Sequence, residues 1–217
     1  MGVIRDTRIR FLLAAGVLLF SLLAGGCAAP GMDAYRQKDY KEALREFRAE
    51  NDPEGEFATG VMYYKGEGVA RDPAEAVRWF RKAADQGHAG ARYDLGLLYL
   101  KGEGVEKDLR EAARWFRLAA EQGHVRARID VAFMYLKGDG VVRDRSEAFH
   151  WMREAAGQND GEAELLVGLM YARGIGVAKD RAEAVAWLRK AADRGFSPAE
   201  RYLKELGESG TERAPGH

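Results

Sequence analysis

Four histidines are the residues of this chain with the clearest capacity to bind a metal. They are His88, His124, His150 and His217, and imidazole is the commonest metal ligand in proteins. His88 and His124 occupy matching sequence positions, where equivalent turns of stacked helices would lie about 10 Å apart. Because no third ligand recurs beside them, we predict that both are surface turn residues and that the chain has no metal site.

Paired carboxylates could serve as a general acid and a general base. Asp72 and Glu75 form one such pair, and three later pairs repeat its spacing. The same spacing is that of a capping box, in which the Asp side chain accepts hydrogen bonds from the first N–H groups of a helix and the Glu side chain reaches back. A catalytic site would be unique, so we interpret the four pairs as helix starts. The later pairs are Asp108 and Glu111, Asp144 and Glu147, and Asp180 and Glu183.

Two further patterns suggest chemistry that their surroundings do not support. The segment Lys-Gly-Glu-Gly-Val lacks the following Lys-Ser/Thr and the flanking strand of a phosphate-binding loop, so we interpret it as a connector. Cys27 is the only cysteine, so it can form neither an internal disulfide nor a cysteine metal cluster. With no nucleophile beside a base, we predict no catalytic residue, no cofactor and no enzymatic activity.

Composition narrows the class of partner. The 217 residues are 47% hydrophobic, which is enough apolar material for one domain or for an extended array of small units. Lys plus Arg and Asp plus Glu number 34 each, so no net charge would draw the chain to nucleic acid. We therefore expect no nucleic-acid partner.

The strongest pattern is a repeat of 36 residues. Four tryptophans follow it, and one tyrosine and two glycines keep the same step. A period of this length indicates stacked structural units, and each unit has two apolar runs with helical spacing. We predict an all-α fold, an α/α solenoid (superhelix) of helix pairs. The repeated positions are Trp79, Trp115, Trp151 and Trp187; Tyr63, Tyr99, Tyr135 and Tyr171; Gly66, Gly102, Gly138 and Gly174; and Gly68, Gly104, Gly140 and Gly176.

Each helix of a pair has its own signature. In the first helix Trp79 shares an apolar face with Ala76 and Phe80, so we predict that the tryptophans lie on the buried seam. In the second helix, Gly96 and its equivalents keep one position small where helices must approach closely. Residues that tolerate a left-handed backbone should end the first helices, namely Gly87, Gly123, Asn159 and Gly195.

The repeat resembles the Sel1-like repeat family, whose members are related to tetratricopeptide repeat proteins. Residues 91–105 have the family's Ala-x-x-x-Leu-Gly-x-x-Tyr-x-x-Gly-x-Gly-Val core, and Asp108, Trp115 and the pair Ala119-Ala120 follow it. The resemblance covers about residues 39–206. It implies a solenoid that binds other proteins, such as those of envelope complexes or of secretion or polysaccharide machinery.

The array is predicted to contain five units. The first lacks three residues between its helices, and polar Glu205 replaces a leucine in the last helix, as is usual for terminal units. Residues 27–38 are predicted to form a tether before the array. Residues 207–217 are short of apolar side chains, so we predict a disordered tail. The five units are residues 39–70, 71–106, 107–142, 143–178 and 179–206.

The N-terminus has the layout of a secretory signal. Arg5, Arg8 and Arg10 precede an apolar run at residues 11–24. The segment Leu-Ala-Gly-Gly-Cys that ends at Cys27 resembles a bacterial lipoprotein signal, so residues 1–26 are predicted to be removed and Cys27 to carry lipid. Ordinary cleavage near Ala29 and a retained membrane span over residues 11–29 are the alternatives. The lipid would hold the protein in the cell envelope, facing the periplasm or exterior, on the outer membrane of a diderm host.

Positions that differ between units are where a partner could be recognised, since shared positions serve the fold. On the first helices these include Arg78, Arg114 and His150, on the side that similar arrays present to a concave groove. On the second helices Arg92 and Arg128 give way to glutamates. These five residues are our candidate partner contacts. A further series could line a strip for acidic partners or form a solvated face, and we favour the solvated face: Arg48, Arg81, Arg117, Arg153 and Arg189.

We predict a non-enzymatic scaffold or adaptor of the bacterial cell envelope that binds other proteins. One alternative is an enzyme that binds or hydrolyses β-lactams, an activity linked to cysteine-rich Sel1-like proteins; those proteins have a disulfide in each repeat, and this chain does not. Another is a binder of peptidoglycan or other glycans, which would need outward-facing aromatic residues. The predicted burial of the tryptophans argues against a glycan binder.

The lipid at Cys27 yields a direct test. We predict that Cys27→Ser releases the protein from membranes, because a serine cannot take the thioether-linked lipid. Fractionation of cell membranes measures the release. Unchanged membrane retention would contradict the lipoprotein interpretation and favour a spanning helix.

Overall fold

The computed structural model describes residues 30–207, and within this range it contains eleven α-helices and no strand. The predicted all-α solenoid is confirmed. The predicted signal, Cys27 with its lipid, and residues 208–217 of the tail lie outside the described range. No helix within residues 30–207 has the length and apolar character needed to cross a membrane. The helices are α1 (Pro30–Arg36), α2 (Tyr40–Glu50), α3 (Pro53–Lys65), α4 (Pro73–Asp85), α5 (Ala89–Lys101), α6 (Leu109–Glu121), α7 (Val125–Lys137), α8 (Arg145–Ala156), α9 (Gly161–Arg173), α10 (Arg181–Asp193) and α11 (Pro198–Glu205).

Each helix packs on the helices before and after it in the chain. The even-numbered helices α2 to α10 are the first helices of the pairs, and α3 to α11 are the second helices. The most extensive packing joins a second helix to the following first helix, as in α3 with α4 and α9 with α10. The buried apolar side chains form three clusters that follow one another along the array. Helices of about 13 residues are marginal alone in water, so this packing must supply most of their stability.

The predicted aspartate caps are confirmed, but the glutamates do not complete capping boxes. The Asp72 carboxylate accepts hydrogen bonds from the N–H groups of Ala74 and Glu75, both at 3.0 Å. The Asp72 N–H donates instead to the carbonyl oxygen of Tyr63, at 2.9 Å. Since that donor is already satisfied, Glu75 has no N–H to reach back to. The same bond to the preceding tyrosine recurs at Asp108, Asp144 and Asp180.

Two separate constraints require glycine in each connector. Gly66 ends α3 with φ +78°, and Gly68 follows with φ +73°, a left-handed conformation that favours glycine. A Cβ atom on Gly68 would also lie only 2.3 Å from the carbonyl oxygen of Tyr40. The backbone of the connector thus lies in close contact with the start of the first helix of the same pair. The left-handed residues predicted to follow the first helices are confirmed as well, with φ +95° at Gly87 and +65° at Asn159.

The small position of the second helix lies against an aromatic ring. A Cβ atom on Gly96 would be 2.5 Å from the ring of Phe116 in the next first helix, and a Cβ atom on Gly60 would be 2.6 Å from Phe80. Phe80 and Phe116 are almost fully buried. The predicted close approach is therefore confirmed, and in these two units its partner is the phenylalanine that follows the repeated tryptophan.

The segment predicted as a tether, residues 27–38, contains a packed helix, so that prediction is wrong for its C-terminal part. A Cβ atom on Gly31 of α1 would lie 2.5 Å from the Phe47 ring, the same relation that Gly96 has to Phe116. The Tyr35 hydroxyl donates to Glu67 at 2.8 Å, and the Tyr64 hydroxyl donates to Glu103 at 2.6 Å. Helix α1 is thus the last half of a second helix, and it covers the first pair. Its seven residues are too few to display the repeat pattern.

The glycine–phenylalanine contact predicts the effect of filling it. We expect Gly96→Leu to lower the free energy of unfolding by roughly 1 to 3 kcal/mol, because the added side chain overpacks the core. This loss would lower the melting temperature by several degrees in a domain of about this size. Gly157→Leu is the matched control, since a Cβ atom there meets its nearest neighbours at 3.6 Å. Equal melting temperatures for the two variants would contradict the close approach.

Candidate functional site

Three residue series that the sequence presents separately meet on one face of the array. The guanidinium of Arg48 donates to the Tyr63 hydroxyl, with its central carbon 5.2 Å from the centre of the Tyr63 ring. The same carbon lies 6.0 Å from the centre of the Trp79 ring in the next first helix. Arg81 donates to Tyr99 in the same way. We call the full set the arginine–aromatic ladder: Arg48, Arg81, Arg117 and Arg153; Tyr63, Tyr99, Tyr135 and Tyr171; Trp79, Trp115, Trp151 and Trp187.

The prediction that the tryptophans form the buried seam is correct for Trp115 alone. Trp115 is 5% exposed, whereas Trp79, Trp151 and Trp187 are only partly buried. The indole lies at the edge of the helix's apolar face, where a polar atom can meet other side chains. The indole N–H of Trp79 donates to Glu75 at 3.0 Å, and that of Trp187 donates to Glu183 at 3.1 Å. The glutamate of the expected capping box therefore serves the ladder.

Different cations surround the tryptophans in different units. The ammonium of Lys82 lies 4.0 Å from the centre of the Trp79 ring, and that of Lys190 lies 3.9 Å from Trp187. Cations at such distances are attracted to the ring face. The constant indoles thus have neighbours that change from unit to unit.

Three of the predicted contact residues are exposed beside the ladder. Arg78 pairs with Glu75 at 3.1 Å on its own helix, and Arg114 pairs with Glu111 at 3.2 Å. The guanidinium carbon of Arg114 is 4.9 Å from the centre of the Trp115 ring. The His150 ring lies edge-on to Trp151. Exposed ion pairs of this kind contribute little to stability, so these side chains are available to a partner, and their role as contacts stays a prediction.

The other two predicted contacts, Arg92 and Arg128, are engaged within the fold. Arg92 Nε donates to the Ala84 carbonyl at 3.0 Å, and Arg128 Nε donates to the Ala120 carbonyl at 3.1 Å. Arg128 also donates to the Glu154 carbonyl at 2.9 Å, and its side chain is 15% exposed. Both arginines bind carbonyl groups at the ends of the first helices, where each carbonyl oxygen also accepts a backbone N–H, from Gly87 at Ala84 and from Gly123 at Ala120. The sequence pattern of varying charge could not reveal this use.

A pocket of about 510 Å³ opens in the ladder between α8, α9 and α10. Trp187 and Tyr171 supply its aromatic groups, and Arg153 faces them. No hydrogen bond joins Arg153 to Tyr171 among the described residues, unlike the matching bonds of Arg48 and Arg81. The remaining lining residues are Arg128, Glu154, Gly157, Gln158 and Glu183.

The two histidines considered as metal ligands are helix caps, so their description as surface turn residues is wrong. His88 Nδ1 accepts from the Ala91 N–H at 2.9 Å, and His124 Nδ1 accepts from the Ala127 N–H at 3.1 Å. The His124 ring stacks on Tyr93, with 4.5 Å between ring centres. Burial lowers the pKa of His124 to about 4, which keeps Nδ1 unprotonated as an acceptor at neutral pH. Within residues 30–207, no cluster of three or more His, Cys, Asp or Glu side chains could hold a metal.

Two aspartates on the second helices are electrostatically strained. Burial raises the pKa of Asp94 to about 7 and that of Asp130 to about 6. Asp130 accepts a hydrogen bond from the Tyr93 hydroxyl of the preceding unit at 3.1 Å, which partly stabilises its charge. The residue matching Tyr93 one unit earlier is Phe57, which has no hydroxyl to offer Asp94.

Comparison with known proteins assigns the repeat. The family model described as Sel1 repeat matches residues 53–88, 89–124, 125–160 and 161–196, together more than half of the chain. The chain belongs to the Sel1 repeat family. Each matched Sel1 stretch contains a second helix and the following first helix, the two helices that pack most extensively. This frame has the predicted period but starts one helix earlier than the predicted units, whose outer boundaries stay predictions.

Two solved structures share this Sel1 fold at appreciable identity. One is the crystal structure of a Sel1 repeat protein from Oxalobacter formigenes, 35% identical over 83% of this chain and 78% of that protein, with a TM-score of 0.78. The other is c5321, a protective antigen present in uropathogenic Escherichia coli strains, 33% identical over 84% of this chain with a TM-score of 0.77. This chain covers 41% of the antigen's length. Among curated proteins, none matches the sequence.

The raised pKa of Asp94 predicts a pH-dependent stability. An aspartate whose pKa rises from 3.8 to about 7 on folding binds its proton more tightly in the folded state, so stability falls as the pH rises from about 4 to 7. We therefore expect Asp94→Asn to raise the melting temperature at pH 8, with a difference that shrinks toward pH 4. The control is Asp85→Asn, at an exposed position at the end of helix α4. It should leave the melting temperature unchanged at both pH 8 and pH 4. A pH-independent effect of Asp94→Asn would contradict the assignment.

Proposed function

We propose that this Sel1 repeat protein is a noncatalytic scaffold of the bacterial cell envelope that binds other proteins along the arginine–aromatic ladder. Sel1 repeats generally mediate protein–protein interaction. The observation that carries the proposal is the ladder itself, which places a tryptophan, a tyrosine and an arginine in successive units, with three of the four tryptophans partly exposed. These three residue types are the ones most enriched at energetically dominant positions of protein interfaces.

The surroundings of the ladder support recognition of a particular partner. Lys82, Arg114, His150 and Lys190 each lie beside a different tryptophan. The tryptophans recur in every unit, whereas these neighbouring positions hold different residues in different units, so the repeat itself does not fix them. A partner that contacts several units would therefore meet a different chemical group at each step. Specificity can arise from that order.

The partial exposure of the tryptophans revives the glycan alternative, and their neighbours argue against it. A sugar ring binds by stacking on an open indole face. Ammonium groups lie about 4 Å from the ring centres of Trp79 and Trp187, so a face of each indole is already covered. A protein partner can use the edges and the cations together, which makes protein binding the better fit.

The location within the envelope is part of the proposal. The arginines before residues 11–24 and the small residues before Cys27 support export and lipid attachment. The Cys27→Ser variant should fail to incorporate an alkyne analogue of palmitate, while Ala29→Ser should incorporate it normally. Labelling of both variants alike would place any lipid elsewhere and contradict attachment at Cys27.

The binding proposal is tested by crosslinking in cells. A tag after His217 allows purification of the crosslinked protein, and mass spectrometry compares its partners with those of an unrelated lipid-anchored protein. We expect one or two stoichiometric partners, and we expect Arg114→Glu to reduce their yield roughly tenfold, which corresponds to about 1.4 kcal/mol. Lys107→Glu is the matched control, because it makes the same charge change at an exposed connector residue of the same unit.

Absence of enriched partners for the unaltered protein would contradict the scaffold proposal. If Arg114→Glu and Lys107→Glu reduced the yield of partners equally, the protein would still bind partners, but the placement of the binding surface on the ladder would be contradicted. Turnover of a chromogenic β-lactam by the purified protein would contradict the noncatalytic part.

A further inference from the structure

The pocket between α8, α9 and α10 differs from the first two pairs of the ladder in one respect. In the first two pairs, the ladder arginine donates directly to the tyrosine of the same pair, Arg48 to Tyr63 and Arg81 to Tyr99. In the pocket, the equivalent side chains Arg153 and Tyr171 stand around an open volume of about 510 Å³. Neither side chain has a hydrogen-bond partner among the described residues.

The unit of Arg153 also lacks an acidic residue at a position where the other units have one. At the four positions equivalent to Arg153 in the other units, the arginine is followed four residues later by an acidic residue. For Arg117 this residue is Glu121, and 3.6 Å separates Arg117 Nε from Glu121 Oε1. The residue four positions after Arg153 is Gly157, and it lines the pocket. The array therefore supplies a carboxylate in four units and omits it in one. The other acidic residues are Asp52, Asp85 and Asp193, after Arg48, Arg81 and Arg189.

The other polar groups of the pocket are already engaged. Glu154 lies 4.0 Å from Arg128, which also donates to two carbonyl groups. Glu183 accepts from the Trp187 indole N–H at 3.1 Å. Gln158 donates to the Gly123 carbonyl at 2.9 Å. Among the lining groups, the donors that remain are the Arg153 guanidinium and the Tyr171 hydroxyl.

We propose that this pocket binds the side-chain carboxylate of an aspartate or glutamate in an acidic segment of a partner protein, between Arg153 and Tyr171. The partner's carboxylate takes the place of the acid that Gly157 omits. A guanidinium binds a carboxylate through two parallel hydrogen bonds, and the hydroxyl can donate a third. Trp187 offers an apolar wall for the partner's neighbouring side chain. This inference rests on the proposed function, since it names what the ladder recognises at one unit.

The four indole N–H groups give a direct readout by nuclear magnetic resonance. The probe is a heptapeptide with blocked ends, one central glutamate and flanking glycines and serines, and its reference is the same peptide with glutamine. We expect the glutamate peptide to shift the Trp187 indole signal, assigned with Trp187→Phe, in a dose-dependent way that weakens with salt. The glutamine peptide should shift it at least tenfold less at equal concentration.

Two variants and one control test the role of Arg153. Arg153→Gln should abolish the shift, and Gly157→Glu should abolish it as well, because the new carboxylate pairs with Arg153 from within the chain. Arg117→Gln is the matched control and should leave the shift unchanged, since Arg117 already pairs with Glu121. Unchanged melting temperatures would establish that each variant is folded. Binding that survives Arg153→Gln or Gly157→Glu would overturn the proposal.

Two further outcomes separate the possible failures. An equal Trp187 response to acetate at the same carboxylate concentration would show that any small acid binds, and would overturn the assignment to a peptide. In the crosslinking experiment, partners captured equally by Arg153→Gln and the unaltered protein would overturn the carboxylate site while the scaffold stands. Absence of partners for the unaltered protein would instead contradict the scaffold, whatever the peptide does.

Discussion

The stack depends on how closely each second helix can approach the next first helix. That distance is set where a glycine backbone lies against a phenylalanine ring, as at Gly96 and Phe116. The same contact recurs at Gly60 with Phe80 and at Gly31 with Phe47. Because every unit contacts only its neighbours, stability is a sum of unit and interface terms. A change at one such contact weakens the coupling between the two sides of the array as well as the unit that contains it.

Around this constraint, the unit divides its residues between the fold and the surface. Aspartate caps, left-handed glycines and the buried alanines repeat because every unit needs them. The tryptophan belongs to both groups, since its ring packs on the helix while side chains that vary between units lie beside it. Arg153 and Gly157 show how one substitution within a strict repeat can change the surroundings of a repeated arginine.

The sequence predicts the helix pairs, their caps and their connectors because each has a local cause that a short pattern records. It does not predict side-chain partners that depend on the stacking of units. The Asp72 N–H donates to Tyr63, so Glu75 turns to Trp79, and no pattern within one helix reveals that exchange. The sequence overestimates the burial of the tryptophans. Helical period shows that a residue lies on the apolar face of a helix, but it does not show whether the residue lies at the centre or the edge of that face. His88 and His124 resemble turn residues, although they stack and cap, because histidine is a rare cap.

The candidate site is predictable only in part for the same reason. The period identifies the arginine, tyrosine and tryptophan series, and the first-helix contacts Arg78, Arg114 and His150 do lie exposed. That the three series form one ladder follows from packing between consecutive pairs. Arg92 and Arg128 vary in sequence and yet bind helix-end carbonyls, so variation by itself does not mark a contact surface. The missing acid at Gly157 is visible in the sequence, but its meaning requires the open distance between Arg153 and Tyr171.

Helix α1 has a consequence for where the array can be in the cell. It begins at Pro30, so with the lipid proposed for Cys27 only residues 28 and 29 separate the attachment point from packed structure. The three Cα–Cα steps from Cys27 to Pro30 span at most about 11 Å. The first unit would then be held close to the headgroup layer. Such an anchor favours partners that are themselves embedded in, or assembled on, the same membrane.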